Sequence, residues 1–315
     1  MLCSHGELVL PDSTSCSPCP GGYYSPEGSS ICTQCSSGTF CPVGSSNETV
    51  CVAGYYSHAG AASCTICPAG YYCPNASTTF HCPTGTSSKE GSSICLEANS
   101  CYDILNKTGT HRSGVYNITT LRSQTTISVY CDMDTEGGGW TVFQRRFDGS
   151  VDFYRNFSEY ENGFGSASGE YWLGLRTIQE MLSKASHELR IDVESFSGRS
   201  GYDVYSNFRL QGPGYTFFVD NRTRSLNMTT QYLLLTGCSY TPYGQNFTTF
   251  DRDQDQRNDG NCAVLAKGAW WYNYCESANL NGVYGRVVQG DGIGYFSFNP
   301  YDNLRLTKVM FRPSG

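Results

Sequence analysis

The sequence predicts an α+β domain with a twisted, largely antiparallel sheet over residues 99–315, preceded by an elongated, disulfide-rich repeat region over residues 1–98. Three observations predict it. Of the 17 cysteines in 315 residues, twelve fall between Cys3 and Cys95. Beyond Asn99, aromatic and β-branched residues alternate with polar ones in "HELRIDVESF", "YDVYSNFRL" and "QYLLLTG", the period of strands. A single stretch, "YWLGLRTIQEMLSKAS", spaces Leu173, Ile178, Met181 and Leu182 as a helix does, which places a helix over 177–186.

The first region repeats itself. "CSPCPGGYYSPEGSSIC" begins at Cys16 and "CTICPAGYYCPNASTTFHC" at Cys64, with partial copies between and after them. Such a segment holds almost no aliphatic residues between its cysteines. It cannot bury enough apolar surface to offset chain entropy, so crosslinks must supply the stability. Gly and Pro after each cysteine pair set tight turns, and the tyrosine pairs are placed to stack on the disulfides of the next unit. A ladder of short strands and turns follows. The Cys16/Cys19, Cys32/Cys35 and Cys64/Cys67 pairs have zinc-ligand spacing, but such cysteine density points to an oxidising compartment. The repeat resembles the cysteine-rich modules of ephrin receptors over about 16–95, and more loosely the EGF-like and tumour-necrosis-factor receptor modules. Twelve cysteines leave the pairing open.

Eight N-x-S/T sequons support secretion: Asn47, Asn75, Asn106, Asn117, Asn156, Asn221, Asn227 and Asn246 are candidate glycan sites. The start, "MLCSHGELVLPDST", has no basic segment and no apolar run, so the expectation is a fragment of a longer secreted chain. No apolar run of ~18 residues is present to span a membrane. The net charge is −7, and no basic patch stands out for nucleic acid or anionic lipid.

The second region carries long motifs. "SCYDIL" opens it at Cys101. "VYCDMDTEGGGWTVFQRRFDGSVDFYRNFSEYENGFGSASGEYWLGL" follows, then "GNCAVLAKGAWWYNYCESANLNGVYG", and "NLRLTKVMFRP" closes it. Together these resemble the fibrinogen C-terminal domain found in ficolins, tenascins, angiopoietins and tachylectins, from about residue 100 to residue 313. The resemblance implies an irregular calcium and ligand subdomain beside the sheet. It also implies disulfides Cys101–Cys131 and Cys262–Cys275, the second closing a loop worth about 3 kcal/mol in the chain-entropy description. Cys238 has no partner in that pattern and is expected to be a buried thiol or a link to another chain, burial being favoured because it ends an apolar strand. Gly137, Gly138 and Gly139 allow backbone beside a large buried anchor, Trp140. Arg145, Arg146 and Asp148 read as a charge cluster that steadies a turn, and Trp172 as the residue that seats the helix on the sheet.

The run "FDRDQDQRNDGNC" sets aspartates at alternate positions, so that carboxylates reach one point, as calcium requires. An EF-hand begun at Asp251 fails, because Gln256 and Cys262 stand where Gly and Glu are needed. The fibrinogen resemblance implies Ca2+ held by Asp253 and Asp255, with the carbonyls of Arg257 and Asp259 and water. One extra residue before Cys262 leaves Asn258 or Gly260 as alternatives for the second carbonyl. The implied ligand pocket adjoins this loop and takes in Trp271, Cys275, Glu276, Asn279, Asn281 and Tyr284, with a Tyr274–Cys275 bond that is often cis in relatives. Acetyl-binding relatives have His where Glu276 stands, and often an aromatic where Ala266 stands. A carboxylate there favours a cationic ligand such as a peptide N-terminus or an amino sugar.

No G-x-S-x-G elbow and no H-E-x-x-H motif is present, the five histidines are scattered, and "GDGIG" follows no strand–helix signal. The expectation is no enzyme. It is an extracellular, calcium-stabilised recognition module for glycans or for acetylated or amine-bearing ligands, acting as a homo-oligomer because weak single sites gain by multivalency. The alternative is an adhesive matrix protein or receptor ligand that docks a cell-surface protein without glycan.

Overall fold

The computed structural model describes residues 3–9, 15–27, 29–83, 86–234, 239–275, 277–286, 290–299 and 302–314. Cys238 and Glu276 lie outside the described residues. The chain divides into two compact units: residues 1–98 with 103–110, and residues 99–102 with 111–315.

In the first unit, twelve short strands pair as antiparallel hairpins. These are β1 (Glu7–Val9) with β2 (Cys16–Pro18), β3 (Tyr23–Tyr24) with β4 (Thr33–Gln34), and β5 (Thr39–Phe40) with β6 (Thr49–Val50). β7 (Tyr55–Tyr56) with β8 (Thr65–Ile66), β9 (Tyr71–Tyr72) with β10 (Phe80–His81), and β11 (Thr86–Ser87) with β12 (Leu96–Glu97) follow. The disulfides are Cys3–Cys16, Cys19–Cys32, Cys35–Cys41, Cys51–Cys64, Cys67–Cys73 and Cys82–Cys95. The two cysteines of each C-x-x-C therefore belong to different crosslinks, and neither zinc ligation nor dithiol redox chemistry is open to them.

Successive hairpins share one bonding pattern. Gly22 N–H donates to the Cys41 carbonyl at 2.7 Å, Gly38 N–H to Ser57 O at 3.1 Å, and Cys41 N–H to Ala61 O at 3.0 Å. The Ser57 hydroxyl, itself buried, donates to Thr39 O at 2.7 Å. At Gly22 the backbone has φ +90, and a Cβ there would lie 2.1 Å from the Gly60 carbonyl oxygen. The same contact recurs between Gly6 and Gly44 and between Gly54 and Gly91. The first, second and fourth hairpins thus touch the next but one through glycine backbone, while at the third Gly38 faces Ala76 less closely.

The second unit is built on one sheet. Its main path runs β13 (Gly114–Thr119), β14 (Thr126–Asp132), β15 (Trp140–Arg146), β25 (Leu304–Pro313), β18 (His187–Ser195), β19 (Ser200–Tyr205) and β22 (Arg222–Leu226), antiparallel throughout. β16 (Phe164–Gly165) and β17 (Tyr171–Trp172) join beside β15. β20 (Arg209–Gln211) with β21 (Thr216–Phe218), and β23 (Ala278–Asn279) with β24 (Gly294–Tyr295), form separate hairpins. The last strand, β25, lies at the centre of the sheet, so the alternating "NLRLTKVMFRP" closes the fold from inside.

Four helices accompany the strands among the described residues: α1 (Cys101–Thr108), α2 (Phe157–Asn162), α3 (Leu175–Met181) and α4 (Cys262–Leu265). α3 starts two residues before the expected helix and stops at Met181, beyond which Ser183 N–H turns back to Glu180 O. "QYLLLTG" is not a strand where it is described. Tyr232–Leu234 forms a 3-10 turn, because Thr229 and Tyr232 are fastened to Ser297 rather than to a neighbouring strand.

The core is aromatic. Trp140 is fully enclosed and its indole N–H donates to Thr135 O at 2.9 Å. A Cβ at Gly138, whose φ is +77, would meet Met133 O at 2.4 Å, so only glycine lets the turn close against this anchor. Trp172 packs on Tyr160, Phe247 and Phe143 and donates to Tyr160 O. Tyr160 belongs to α2, so the indole bond of Trp172 ties down α2 rather than the expected helix.

Candidate functional site

An irregular segment, described over 239–275, 277–286 and 290–299, packs against β15, a strand inside the sheet. A bulge between Val142 and Gln144 in β15 puts Gln144 and Arg146 toward it. The Gln144 amide donates to Leu280 O and to Asn281 Oδ1 and accepts from the Thr307 hydroxyl. The Arg146 guanidinium donates to Gly282 O at 3.0 Å and pairs with the enclosed Glu170 carboxylate at 3.5 Å. Glu170 also accepts the backbone N–H groups of Phe147, Asp148, Gly149 and Val151. The expected charge cluster therefore does steady a turn. Its key acid is Glu170, 22 residues beyond Asp148 in sequence, which local reading could not find.

The acidic loop begins where Thr248 and Trp270 exchange backbone hydrogen bonds. Asp251 points back to α2: its Oδ1 accepts from Phe157 N–H at 2.9 Å and from the Thr249 hydroxyl at 2.7 Å. That use occupies one of the two Asp251 oxygens. Asp253 Oδ1 accepts from Asp255 N–H at 3.3 Å. Asp255 accepts from Arg257 N–H and, through its other oxygen, from Cys262 N–H, both at 2.8 Å. Burial raises the Asp255 carboxyl above its usual range. The two N–H donors offset this in part, and the neighbouring Asp253 carboxylate adds to the rise. Asp259 is held by the Arg257 guanidinium at 2.7 Å, which keeps its carboxyl below the usual range.

The side chain of Asn261 caps α4, accepting from Ala263 and Val264 N–H, and its amide donates to Thr249 O. Cys262 opens this helix and is bonded to Cys275. The loop is joined to the same segment a second time, through Gln256 N–H to Asn273 O at 2.9 Å. Arg257 lies over the Tyr274 ring, and its guanidinium reaches the Cys275 sulfur at 3.5 Å. The Tyr274–Cys275 bond is trans, against the expected cis form, and the tight backbone sits instead in Cys275, whose φ is +65.

The donor set offered by Asp253 and Asp255 is all oxygen, which fits a hard cation such as calcium and no soft metal. Among the described residues no group of three acidic, His or Cys side chains converges. A cation here would rest on these two carboxylates, backbone carbonyls and water.

The expected pocket residues do not all face outward. Trp271 is enclosed, donates to Tyr215 O at 2.7 Å, and packs on Phe217 and Phe247. Asn279 is enclosed too: its amide donates to Ala266 O and Gly292 O, and its carbonyl accepts from Tyr272. Asn281 likewise donates to Ala269 O inside the fold. These three build the wall behind the surface rather than the face a ligand meets. Tyr284 donates to Phe147 O and borders a cleft of about 350 Å³ with Lys267, Tyr154 and Arg146. Tyr274 is exposed beside Cys275. His187 packs edge-on against Phe311 with its Nδ1 at Ala185 O, a structural use.

A single-sheet α+β domain whose acidic loop is crosslinked to an irregular surface segment is the architecture of a recognition domain, with its variable chemistry carried on loops. The chain belongs to the family described as the fibrinogen beta and gamma chains, C-terminal globular domain, which matches residues 97–314. It is 38% identical to fibrinogen C domain-containing protein 1-B of Xenopus laevis over 73% of this chain and 50% of that one. It is 38% identical to human microfibril-associated glycoprotein 4 over 70% of this chain and 87% of that one. The chain thus spans about half the length of the fibrinogen C domain-containing relatives it matches. The fibrinogen-like globe domain of human ANGPTL6 superposes with a TM-score of 0.63 at 34% identity, covering 70% of this chain and 97% of that one. Lamprey fibrin D-dimer, complexed with the peptide Gly-His-Arg-Pro-amide, superposes with a TM-score of 0.62 at 28% identity, over 69% and 75% of the two chains.

Proposed function

We propose that this protein is an extracellular, calcium-stabilised recognition module that binds its ligand at the surface beside the acidic loop. One observation carries the reading: the loop is tied to the segment around Tyr274 twice over, by the Cys262–Cys275 disulfide and by the Gln256–Asn273 hydrogen bond. A cation held by Asp253 and Asp255, with the carbonyls of Arg257 and Asp259, would set the shape of that segment and so act on binding without touching the ligand. Disulfides in every repeat and six exposed sequon asparagines, Asn47, Asn75, Asn106, Asn117, Asn221 and Asn227, support secretion. The side chains of Asn156 and Asn246 are half-buried and accept hydrogen bonds from Glu159 and Thr216. The chemistry expected of this chain supports no enzyme.

The ligand class follows from Cys275, the exposed Tyr274 and the sequence position of Glu276. An aromatic and, two residues on in sequence, a carboxylate suit amine-bearing ligands, among them amino sugars and peptide N-termini, more than acetyl groups. The peptide complex of lamprey fibrin supports a peptide ligand by likeness of fold. A glycan and peptide array, read with calcium and with chelator, tests the reading. Calcium-dependent capture of amine-bearing probes, lost in Glu276→Gln, is expected. Binding to a cell-surface or matrix protein with silence on glycans and peptides would favour an adhesive role instead.

A further inference from the structure

A second cleft, of about 310 Å³, lies between the β13–β14 turn, α3 and β20. Three arginines from three separate elements line it: Arg122 from the turn, Arg176 from α3 and Arg209 from β20. Its apolar lining is Leu182 and Leu210, both nearly enclosed. One acid, Glu180, shares the lining, but its carboxylate is already committed. It accepts Arg122 N–H at 2.6 Å, Ser123 N–H at 3.0 Å and the Ser123 hydroxyl at 3.1 Å. Although burial alone would raise it, these donors hold the Glu180 carboxyl below its usual range. Glu180 therefore fastens the turn to α3 and brings Arg122 to the cleft, without pairing with any guanidinium there.

The three cations are unequally compensated. Arg209 is paired with Asp220 at 3.1 Å, and Arg176 reaches Glu161 only at 3.6 Å, with its side chain mostly in solvent. Among the described residues no carboxylate lies within ion-pair distance of the Arg122 guanidinium, which is exposed. A guanidinium fork matches an oxyanion with two parallel hydrogen bonds. Forks from three elements around an apolar floor suit several oxyanions carried on sugar rings, more than one small anion enclosed on all sides.

We propose that this cleft binds the sulfate groups of a sulfated polysaccharide. The acidic loop and the Tyr274 surface share no lining residue with it, so such binding would be independent of calcium. In a protein of net charge −7, contact with a polyanion must be local, and it weakens as salt screens it.

The test uses the full chain, with heparin as probe and chemically desulfated heparin and inorganic phosphate as comparisons. Expected is retention on heparin that falls with salt, persists in chelator and is absent on the desulfated polymer. Arg122→Ala should weaken it by about tenfold, one charge-assisted contact, and Arg122→Lys should restore part. The melting temperature of Arg122→Ala should match the parent, since among the described residues that side chain makes no hydrogen bond or ion pair, and its anchoring N–H remains. Equal binding of desulfated heparin, or of the Arg122→Ala/Arg176→Ala double variant, would overturn the proposal. So would loss of heparin binding in chelator, which assigns it to the acidic loop, or phosphate competing as strongly as the polymer, which assigns a single-anion site.

Discussion

Asp251 and Asp253 stand two residues apart in one acidic run and do opposite work. Asp251 lies at the surface but commits one oxygen, Oδ1, to holding the fold, accepting from Phe157 N–H and the Thr249 hydroxyl. Asp253 keeps one oxygen free of any partner described above. Asp251→Ala should therefore lower stability by about 1–2 kcal/mol with or without calcium. Asp253→Ala should change the calcium-free protein by no more than about 0.5 kcal/mol but remove the rise in melting temperature on adding calcium. Thermal melts of both variants, with calcium and with chelator, separate the two roles. If both variants lost only the calcium-dependent part, Asp251 would be a ligand and not an anchor. Glu170 is a second residue whose role is decided by burial. Glu170→Gln leaves Arg146 enclosed without a countercharge, which should cost about 3–5 kcal/mol, read by denaturant unfolding. A smaller loss would mean that water reaches Arg146.

Strand β25 shows what pH does to the sheet. Its Lys308 pairs with Asp132 of β14 and, at 3.2 Å, with Asp192 of β18, bridging strands on both flanks. Burial pushes the Asp132 carboxyl up, but Lys308 and the Thr135 donors together outweigh it and hold the group below its ordinary 3.8. A carboxyl depressed in the folded state stabilises above its unfolded value, and that contribution is lost as pH falls through the folded value. Asp132→Asn should thus narrow the gap in stability between neutral pH and pH about 3, measured by melting across that range. Asp203 carries the opposite sign. Burial raises it despite donors from Tyr295, Tyr205 and Arg222, so its contribution is present at acid pH and fades as pH rises through the raised value.

Legibility in the sequence also divides by element. Strand β18 was readable because "HELRIDVESF" alternates and has a partner on each side. "QYLLLTG" is a continuous apolar run rather than an alternating one, and where it is described hydrogen bonds to Ser297 decide its turn. The resemblance supplied the Cys101–Cys131 and Cys262–Cys275 pairs, both present. It could not say that Trp271 and Asn279 are enclosed, because burial depends on residues far away in sequence. The cleft at Arg122 left no sequence signal at all, since its three arginines are dozens of residues apart.

At the scale of the whole molecule, the two units hold together by different means. The second has an enclosed aromatic core and two disulfides, while the first depends on six crosslinks and glycine contacts. Each thirteen-residue separation is worth about 3 kcal/mol in the chain-entropy description. Mild reduction should make residues 1–98 open to protease while a fragment over 111–315 survives, as mass spectrometry would show. Survival of the repeats under reduction would mean their hairpins stand without crosslinks. Gly22→Ala should act only on the repeats, because the new Cβ would strike Gly60 O and cost more than the ~1 kcal/mol of an ordinary glycine replacement.

The recurring glycine contact has a consequence for how such a chain can change over generations. Gly6, Gly22, Gly38, Gly54 and Gly70 stand sixteen residues apart, and Gly6, Gly22 and Gly54 each meet a glycine carbonyl two rungs on. Nothing in those bonds counts rungs. Duplicating or deleting one sixteen-residue unit keeps the spacing of these glycines, so the number of rungs in this region can change by whole steps without breaking that repeat.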